Sequence, residues 1–430
     1  MSTSTSATAA DTQVYETQAH ETQAPPRNWK APILFGILAL VALIPFSLML
    51  SIETATSINL MGDQQPEFAA PTMFTNLVLA VIMLVITALA ALAVKNRKRL
   101  NPWLTALFAF CWVLALIFWI GADSIVPLTW VLTSTVALAT PLVFGSMAGI
   151  VSERAGVVNI AIEGQLLAGA FTGALVSSIT QNAFAGLVAA MIAGALVSLI
   201  LVVFGIKYWV EQVVVGVVIN MLVIGLTSFF LKGFMSEQPD VFNSPVKYQR
   251  INIPVLADIP VIGPLLFQHT IITYLMFIAV PLLTFMLFRT RWGLRTRAVG
   301  EHPKAADTAG INVIATRSWA VILSGLIAGA GGTFYTLGEV GAFSDNITSG
   351  HGYIALAAVI FGRWHPVYAA GAAALFGFAN SAAGLASQTG SSIPTEFMQM
   401  VPYVVTVFAV IGFVGKSRAP AAAGKPYQKA

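Results

Sequence analysis

The stretch TMFTNLVLAVIMLVITALAALAV, residues Thr72–Val94, decides the fold class, because none of its 23 residues is charged. A helix of this length crosses the hydrocarbon core of a membrane. Similar runs recur along the 430-residue chain, which is 57% hydrophobic and only 9% charged. Such runs exclude a soluble domain and favour helices over the short alternating strands of a membrane β-barrel. The sequence therefore predicts an all-α, polytopic membrane protein.

We predict twelve membrane-spanning segments, so both termini lie on the same side of the membrane. The segment at 351–364 is near the lower length limit for a spanning helix and is the best candidate for a re-entrant segment. The predicted fold thus has about 10–12 transmembrane helices, re-entrant or broken helices included. The predicted segments are 32–51, 72–94, 103–122, 127–150, 157–180, 183–206, 213–231, 270–288, 318–338, 351–364, 367–386 and 397–415.

Positive residues indicate the orientation, because cytoplasmic loops of membrane proteins are enriched in Lys and Arg. With a cytoplasmic N-terminus, 19 of the 22 Lys and Arg residues fall in inside segments. The exceptions, Lys232, Lys247 and Arg250, flank or lie in one long outer loop. We therefore expect a multi-pass protein of the plasma membrane with both termini in the cytoplasm. Contact with anionic lipid headgroups accounts for the net charge of +4, so no nucleic acid partner is expected.

One predicted cytoplasmic segment, RAVGEHPKAADTAGINV at Arg297–Val313, is unusually polar for this chain. Pro303 suits the first position of a helix and Gly310 a left-handed stop, which predicts a helix of about two turns. Lys304 and Asp307, one turn apart, are expected to form an ion pair.

The same short helix carries small side chains that let another backbone approach closely. It is therefore interpreted as a docking helix for a cytoplasmic partner, and a solvated loop with one helical turn is the alternative. The small-residue face is formed by Ala305, Ala306 and Ala309.

Three motifs resemble one family. GEHPKAADTAGI at residues 300–311 is similar to the coupling-loop motif of permease subunits of ATP-binding-cassette (ABC) importers for branched-chain amino acids, simple sugars and nucleosides. SERAGVVNIAIEGQLLAGAF, Ser152–Phe171, resembles the signature of that group and of nucleoside-type permeases in particular. GHGYIALAAVIFGRWHP, Gly350–Pro366, is the third block. Ala161 departs from the pattern, since the family often has glycine there.

The resemblance implies a permease that has no catalytic residues and works with other chains. These are a separate ATPase that binds ATP and Mg, a second paralogous permease and a solute-binding lipoprotein; a homodimeric permease is the alternative to the heterodimer. The cargo would be a nucleoside or related small solute. The residues that would contact the ATPase are Gly300, Glu301, His302, Pro303, Lys304, Ala305, Ala306, Asp307, Ala309 and Gly310.

The chain accordingly divides into a permease core and additional parts. The first part, 1–31, is a Thr-, Ala- and Gln-rich tail expected to be disordered and cytoplasmic. The additional transmembrane helices before the core extend beyond the resemblance, and their role stays open. The remaining divisions are 32–125 for those helices, 126–415 for the core, 289–317 for the cytoplasmic coupling loop inside it and 416–430 for the cytoplasmic C-terminal tail.

Polar residues inside predicted spans are candidates for a substrate path, because a neutral nucleoside is bound by amides, hydroxyls and aromatic faces. Glu163 is the acidic residue placed inside the membrane, at a shallow, cytoplasm-proximal depth. It is interpreted as a clamp on backbone amides of a broken helix or as a substrate contact, and the clamp is favoured. Phe334, Tyr335 and Phe343 either stack on a base or belong to the interfacial aromatic belt, which is favoured. The candidate path residues are Asn159, Glu163, Asn220, Phe334, Asn380, Gln399 and Tyr403.

Gly325 and Gly329 form a GxxxG face within SGLIAGAGG, Ser324–Gly332. Faces of this kind mark close helix contacts, within one subunit or across a dimer. We expect packing within the subunit.

Motifs for ATP hydrolysis and metal binding are missing from the sequence. GKS occurs at residues 415–417, but Val410 takes the place of the first glycine of a phosphate-binding loop. The five histidines are scattered, so no metal site and no cofactor are expected on this chain. The alternatives are a simple-sugar permease of the same family and an ion-coupled secondary transporter. Ion coupling generally uses several buried ionisable groups, and Glu163 stands almost alone.

Overall fold

The computed structural model describes residues 29–60, 68–98, 100–389, 400 and 419–428. This part of the chain is mainly helical, which confirms the all-α prediction. The helices are α1 (Lys30–Leu43), α2 (Thr72–Lys95), α3 (Pro102–Ile120), α4 (Leu128–Arg154), α5 (Ile162–Thr180), α6 (Ala183–Leu201), α7 (Gln212–Phe230), α8 (Pro239–Phe242), α9 (Ile262–Phe267), α10 (Ile271–Arg289), α11 (Arg291–Glu301), α12 (Pro303–Thr308), α13 (Val313–Thr333), α14 (His351–Phe361) and α15 (Pro366–Gln388).

Four helices continue into π-helical turns, which lengthen α1, α6, α7 and α13. These turns are Ile44–Leu48, Val202–Lys207, Leu231–Met235 and Phe334–Val340. Five short strands lie between the helices: β1 (Ala55–Asn59), β2 (Phe68–Pro71), β3 (Ile125–Pro127), β4 (Arg250–Asn252) and β5 (Gln268–Thr270). β1 pairs antiparallel with β2 and parallel with β3, and β4 pairs antiparallel with β5.

Within the described residues, ten helices are long and apolar enough to cross a membrane. They correspond to ten of the predicted spans. The predicted span at 351–364 is the shorter helix α14, and the predicted span at 397–415 lies outside the described residues apart from residue 400. Polar side chains set several helix starts: Asn101 caps α3, Asn182 caps α6 and Asn312 caps α13, each accepting a backbone N–H of the first turn.

Three apolar clusters hold the helices together. The largest lies between α4, α10, α13, α14 and α15, and a second joins α5, α6 and α7. A third cluster belongs mostly to α1, α2 and α3 and reaches the end of α15 through Leu385 and Ala386. The helices at 32–125 therefore share a core of their own and attach to the rest along α15.

Glycines bring α13 against α6. A Cβ added at Gly325 would lie 2.3 Å from the Gly194 carbonyl oxygen, and one added at Gly194 would lie 2.2 Å from the Gly325 carbonyl oxygen. No larger residue fits at such a distance. The GxxxG face thus packs within the subunit, as the sequence predicted.

Arg154, Arg297 and Arg363 lie together at one end of the bundle, which we call the basic face: the Arg154 and Arg297 guanidinium groups both lie over the Phe288 ring, and Arg154 Nη2 donates to the Arg363 carbonyl. The end of α4 lies there with the turn after α14, because Arg154 donates through Nε to the Trp364 carbonyl at 2.9 Å. Trp364 in turn donates to the Glu153 carboxylate through Nε1. The α11–α12 segment lies on the same face, where the Gly300 Cα packs near Gly156.

The 351–364 segment, predicted as a span and as the best candidate for a re-entrant segment, is helix α14. The connection that leads to α14 starts after Leu337. The Leu337 carbonyl accepts the N–H of Tyr248, which belongs to the long loop between α7 and α10, opposite the basic face. The far end of α14 reaches the basic face at Trp364. The connection and α14 therefore cross the bundle together, with a helix in the second half only. Asn243 satisfies part of the irregular half by accepting the Phe343 N–H at 2.6 Å.

A second crossing is also interrupted. The predicted span at 157–180 is helical only from Ile162, because Gly156 adopts a left-handed φ of +87° and the chain to Ala161 is not helical. Side chains of α7 satisfy the irregular backbone: the Val158 N–H donates to Gln212 Oε1 at 2.8 Å. Broken backbone inside a membrane is tolerated when protein groups complete its hydrogen bonds.

Candidate functional site

The two interrupted crossings meet at Glu163, in the first turn of α5. Glu163 Oε1 accepts the Thr348 hydroxyl at 2.6 Å and the Gly350 N–H at 2.8 Å. Oε2 accepts the Gly352 N–H at 2.6 Å. The carboxylate is 2% exposed and lies at the N-terminus of α14, where the helix dipole favours negative charge. These contacts have the geometry of the clamp interpretation.

Glu163 lies about one length of α14 away from the basic face. α14 has 11 residues, begins at His351 beside Glu163 and leads to the basic face. At 1.5 Å per residue this places Glu163 roughly 16 Å from that face, about half of a hydrocarbon core. The non-helical chain at 157–161 covers part of this distance, because it advances farther per residue than a helix does. The shallow depth in the membrane stays a prediction.

Asn159 belongs to a buried network of uncharged polar groups next to Glu163. Its Nδ2 donates to Gln165 Oε1 at 3.0 Å and to Ser324 Oγ at 2.8 Å. Gln165 Nε2 donates to Ser198 Oγ at 2.9 Å. The network connects the broken segment with α5, α6 and α13, and all four side chains are fully buried.

Asn220 of α7 holds the same broken segment from the other side. Its Oδ1 accepts the Gly164 N–H at 2.8 Å, and its Nδ2 donates to the Ile160 carbonyl at 2.9 Å. Nδ2 also lies 3.0 Å from the Tyr353 hydroxyl of α14. The structure therefore brings Asn159, Glu163 and Asn220 together around one segment.

Phe334 is linked to this site through other aromatic rings. It packs edge-on against Tyr335, whose hydroxyl lies 3.0 Å from His351 Nδ1. Phe334, Tyr335 and Phe343 are 3%, 7% and 2% exposed. The favoured assignment of these rings to an interfacial belt is therefore wrong, because the end of α13 and the chain after it are packed inside the bundle.

The remaining candidate path residues are not joined to the site. Asn380 is half-buried on α15, and within the described residues it makes no hydrogen bond to Asn159, Glu163 or Asn220. Gln399 and Tyr403 lie outside the described residues.

Sequence reasoning missed several partners of the site. Thr348, Ser198, Ser324 and Gln212 are polar residues in or beside apolar helices, and that placement was the available signal. That signal does not identify the hydrogen-bond partner of each polar residue, because the partners lie far apart in the chain, as Gln212 and Val158 do.

The predicted docking helix is α12. It starts at Pro303 and ends just before Gly310, whose φ is +82°, as the local sequence indicated. Ala305 and Ala309 are exposed on the basic face together with Lys304. A cleft of about 480 Å³ lies beside it, lined by Trp292, Arg295, Gly310, Ile311, Asn312, Ala315, Thr316 and Trp319.

Two predicted details of α12 are wrong. Ala306 is 4% exposed and packs inward with Val299, Val313 and Tyr427, so it is not on the docking face with Ala305 and Ala309. Ala306 is offset from Ala305 by about 100° around the helix, which turns it towards the bundle.

The predicted ion pair between Lys304 and Asp307 is not formed either. Lys304 is exposed to solvent, whereas Asp307 is half-buried near Tyr427. Burial of Tyr427 and the nearby Asp307 carboxylate both raise the pKa of the Tyr427 hydroxyl. Other residues of the motif face the chain end: the Glu301 carboxylate accepts the Ala421 N–H at 3.2 Å.

No group of three or more His, Cys, Asp or Glu that could hold a metal ion occurs in the described part of the chain. The site is instead a junction of interrupted helices held by uncharged polar groups and one carboxylate. Discontinuous helices that meet inside the membrane are typical of transporter binding sites.

Comparison with known proteins gives the class. Residues 131–410 match the family described as branched-chain amino acid transport system, permease component. The chain therefore belongs to this family of membrane permeases, and the resemblance drawn from the three motifs is confirmed. Helices α1, α2 and α3 precede the matched residues.

Particular relatives carry more specific names. The guanosine ABC transporter permease protein NupQ of Bacillus subtilis (strain 168) is 42% identical over 322 residues, which cover 71% of this chain and 99% of NupQ. The nucleoside ABC transporter permease protein NupC of Lactococcus lactis is 40% identical, covering 68% and 94%. A putative glucose ABC transporter permease protein of Haloferax volcanii is 35% identical, covering 57% and 74%.

The same two bacteria supply weaker matches, the guanosine permease protein NupP at 26% identity and the nucleoside permease protein NupB at 23%. No solved structure matches the chain significantly.

Proposed function

We propose that the chain is a permease subunit that forms the translocation path for nucleosides in an ABC importer. The observation that carries this proposal is the 42% identity to NupQ, a guanosine permease protein, over 99% of the length of NupQ. The site is compatible with that cargo, because Asn159, Gln165 and Asn220 offer neutral amides where a nucleoside presents hydroxyls and ring nitrogens.

The path would pass the junction of the two interrupted crossings. Segments 157–161 and 341–350 are the irregular parts of the bundle next to Glu163. In this proposal Glu163 clamps the start of α14, and the amides around it face the solute when the junction opens. Asn380, Gln399 and Tyr403 remain candidates for other parts of the path.

The basic face would be cytoplasmic, with both termini on that side of the plasma membrane, because Lys and Arg concentrate in cytoplasmic loops. α12 would then dock an ATPase on a separate chain, which binds ATP and Mg. Exposed Ala305 and Ala309 form the contact, and the cleft beside α12 receives side chains of the ATPase. Motion of α12 would be passed to the junction above it.

The other partners follow from the relatives. NupP and NupQ come from one bacterium and NupB and NupC from another, so a second, paralogous permease is the expected partner of this chain. A solute-binding lipoprotein would deliver the nucleoside on the opposite face. A simple-sugar permease is the second candidate function, and it is supported by the 35% identity to a putative glucose permease protein.

Stimulated ATP hydrolysis distinguishes the two cargo classes. The complex purified with its paralogous permease, ATPase and binding protein is titrated with guanosine, adenosine, uridine, ribose and glucose. We expect stimulation by at least one nucleoside and by neither sugar. Stimulation by sugars alone would replace nucleosides with sugars as the cargo.

A further inference from the structure

Residues 419–428, near the end of the chain, lie across the coupling segment on the basic face, and we call them the strap. The Ala422 N–H donates to the Gly300 carbonyl at 2.9 Å, and the Gly424 N–H donates to the Gly156 carbonyl at 3.2 Å. The strap therefore bonds both to the end of α11 and to the turn that precedes the interrupted crossing.

The side chain of Tyr427 fixes the strap to α12. Tyr427 is 8% exposed and belongs to a small cluster with Val299, Ala306 and Val313. Burial raises the pKa of its hydroxyl, and the Asp307 carboxylate of α12 is close enough to raise that pKa further. The inward face of α12 is thus covered by a residue from the far end of the sequence.

The strap also supplies a partner for a buried charge. Arg317, at the start of α13, is 2% exposed, and its Nη1 donates to the Lys425 carbonyl at 2.9 Å. A buried guanidinium needs such acceptors, because leaving it unpaired is costly. Arg317 Nη2 also lies close to Gly156, 2.9 Å from where a Cβ would be. Four separate elements therefore converge on the strap: α11, α12, α13 and the turn at Gly156.

We propose that the strap transmits motion from α12 to the interrupted crossing. When the ATPase displaces α12, Tyr427 moves with Asp307 and Ala306, and the strap carries the displacement to Gly156. Gly156 directly precedes the segment that contains Asn159 and leads to Glu163, so the motion reaches the proposed path. This inference rests on the proposed function, because it requires an ATPase on α12.

Tyr427→Ala tests the strap in the complete transporter, reconstituted in proteoliposomes with its partner subunits. Uptake of labelled nucleoside and ATP hydrolysis are measured in the same sample, and hydrogen exchange is measured at the strap amides. We expect faster exchange at Ala422 and Gly424, retained ATPase binding and a ratio of uptake to ATP hydrolysis lowered about tenfold, a common size of coupling between linked sites.

Two matched variants separate the packing of the Tyr427 ring from the loss of its hydroxyl and from a substitution at a neighbouring position. Tyr427→Phe removes only the hydroxyl and is expected to retain most of the coupling, whereas Gln428→Ala changes an exposed neighbour and should behave as wild type. The proposal is overturned if Tyr427→Ala releases the strap but leaves the ratio of uptake to ATP hydrolysis at the wild-type value. Unprotected Ala422 and Gly424 amides in the wild-type complex would also overturn it. Failure of the wild-type chain to bind an ATPase would instead refute the proposed function.

Discussion

Replacing Glu163 disturbs the junction of the two interrupted crossings, and the size of the effect can be worked out from its hydrogen bonds. In Glu163→Ala the Gly350 and Gly352 N–H groups lose their acceptor, whereas the Thr348 hydroxyl can rotate to another one. At about 1–3 kcal/mol for each buried group left unsatisfied, the two amides cost about 2–6 kcal/mol. Glu163→Gln keeps one oxygen, so only the Gly352 N–H is lost, at about 1–3 kcal/mol.

Thermal unfolding in detergent and hydrogen exchange of the α14 amides measure this difference. We expect Glu163→Ala to be clearly less stable than Glu163→Gln, with faster exchange at Gly350 and Gly352. Glu211→Gln is the matched control, because Glu211 is exposed at the start of α7 and caps no amide. Equal stability of the Ala variant and wild type would refute the clamp. A Gln variant as damaged as the Ala variant would show that the charge itself is required.

Three further changes test the docking helix, the helix packing and the broken segment. Ala309→Glu places a carboxylate in the proposed ATPase interface, where burial of an unpaired charge costs more than about 1.4 kcal/mol. Nucleoside uptake should therefore fall at least tenfold at unchanged membrane abundance, whereas the control Ala69→Glu, on the opposite face, should leave uptake unaltered. Gly325→Ala should lower the midpoint of thermal unfolding, since overpacking costs about 1–3 kcal/mol. In the control Gly225→Ala the added Cβ meets nothing within 4 Å, so its midpoint should match or exceed that of the wild type; equal midpoints for the two variants would contradict the close contact at Gly325. Asn220→Leu leaves the Ile160 carbonyl and the Gly164 N–H unsatisfied, so in the same assay it should destabilise the protein by about 2–6 kcal/mol. Met221→Leu, which changes an exposed neighbour, is the control for this loss.

Local signals in the sequence predicted most of the helices. Uncharged runs predicted the ten long spans within the described residues, and α12 begins at Pro303 and ends at Thr308, shortly before the left-handed Gly310, as expected. Such features depend on neighbouring residues only. Spacing along one helix likewise indicated the packing face of Gly325.

Contacts between distant parts of the chain could not be predicted in the same way. Ala306 is buried because Tyr427 covers it, and the two residues lie in different segments of the chain. The break before Ile162 is stable because Gln212 and Asn220 complete its hydrogen bonds from α7. The distance of Glu163 from the basic face depends on that break. Partners of this kind are set by packing rather than by local propensity.

The energy source of transport tests the central claim most directly. Labelled nucleoside uptake is followed in proteoliposomes that contain this chain with the paralogous permease, the ATPase and the binding protein, and in vesicles that contain this chain alone. We predict uptake only in the complete complex and only with ATP and Mg on the side of the basic face. Uptake by the chain alone, driven by a proton or sodium gradient without ATP, would contradict the account.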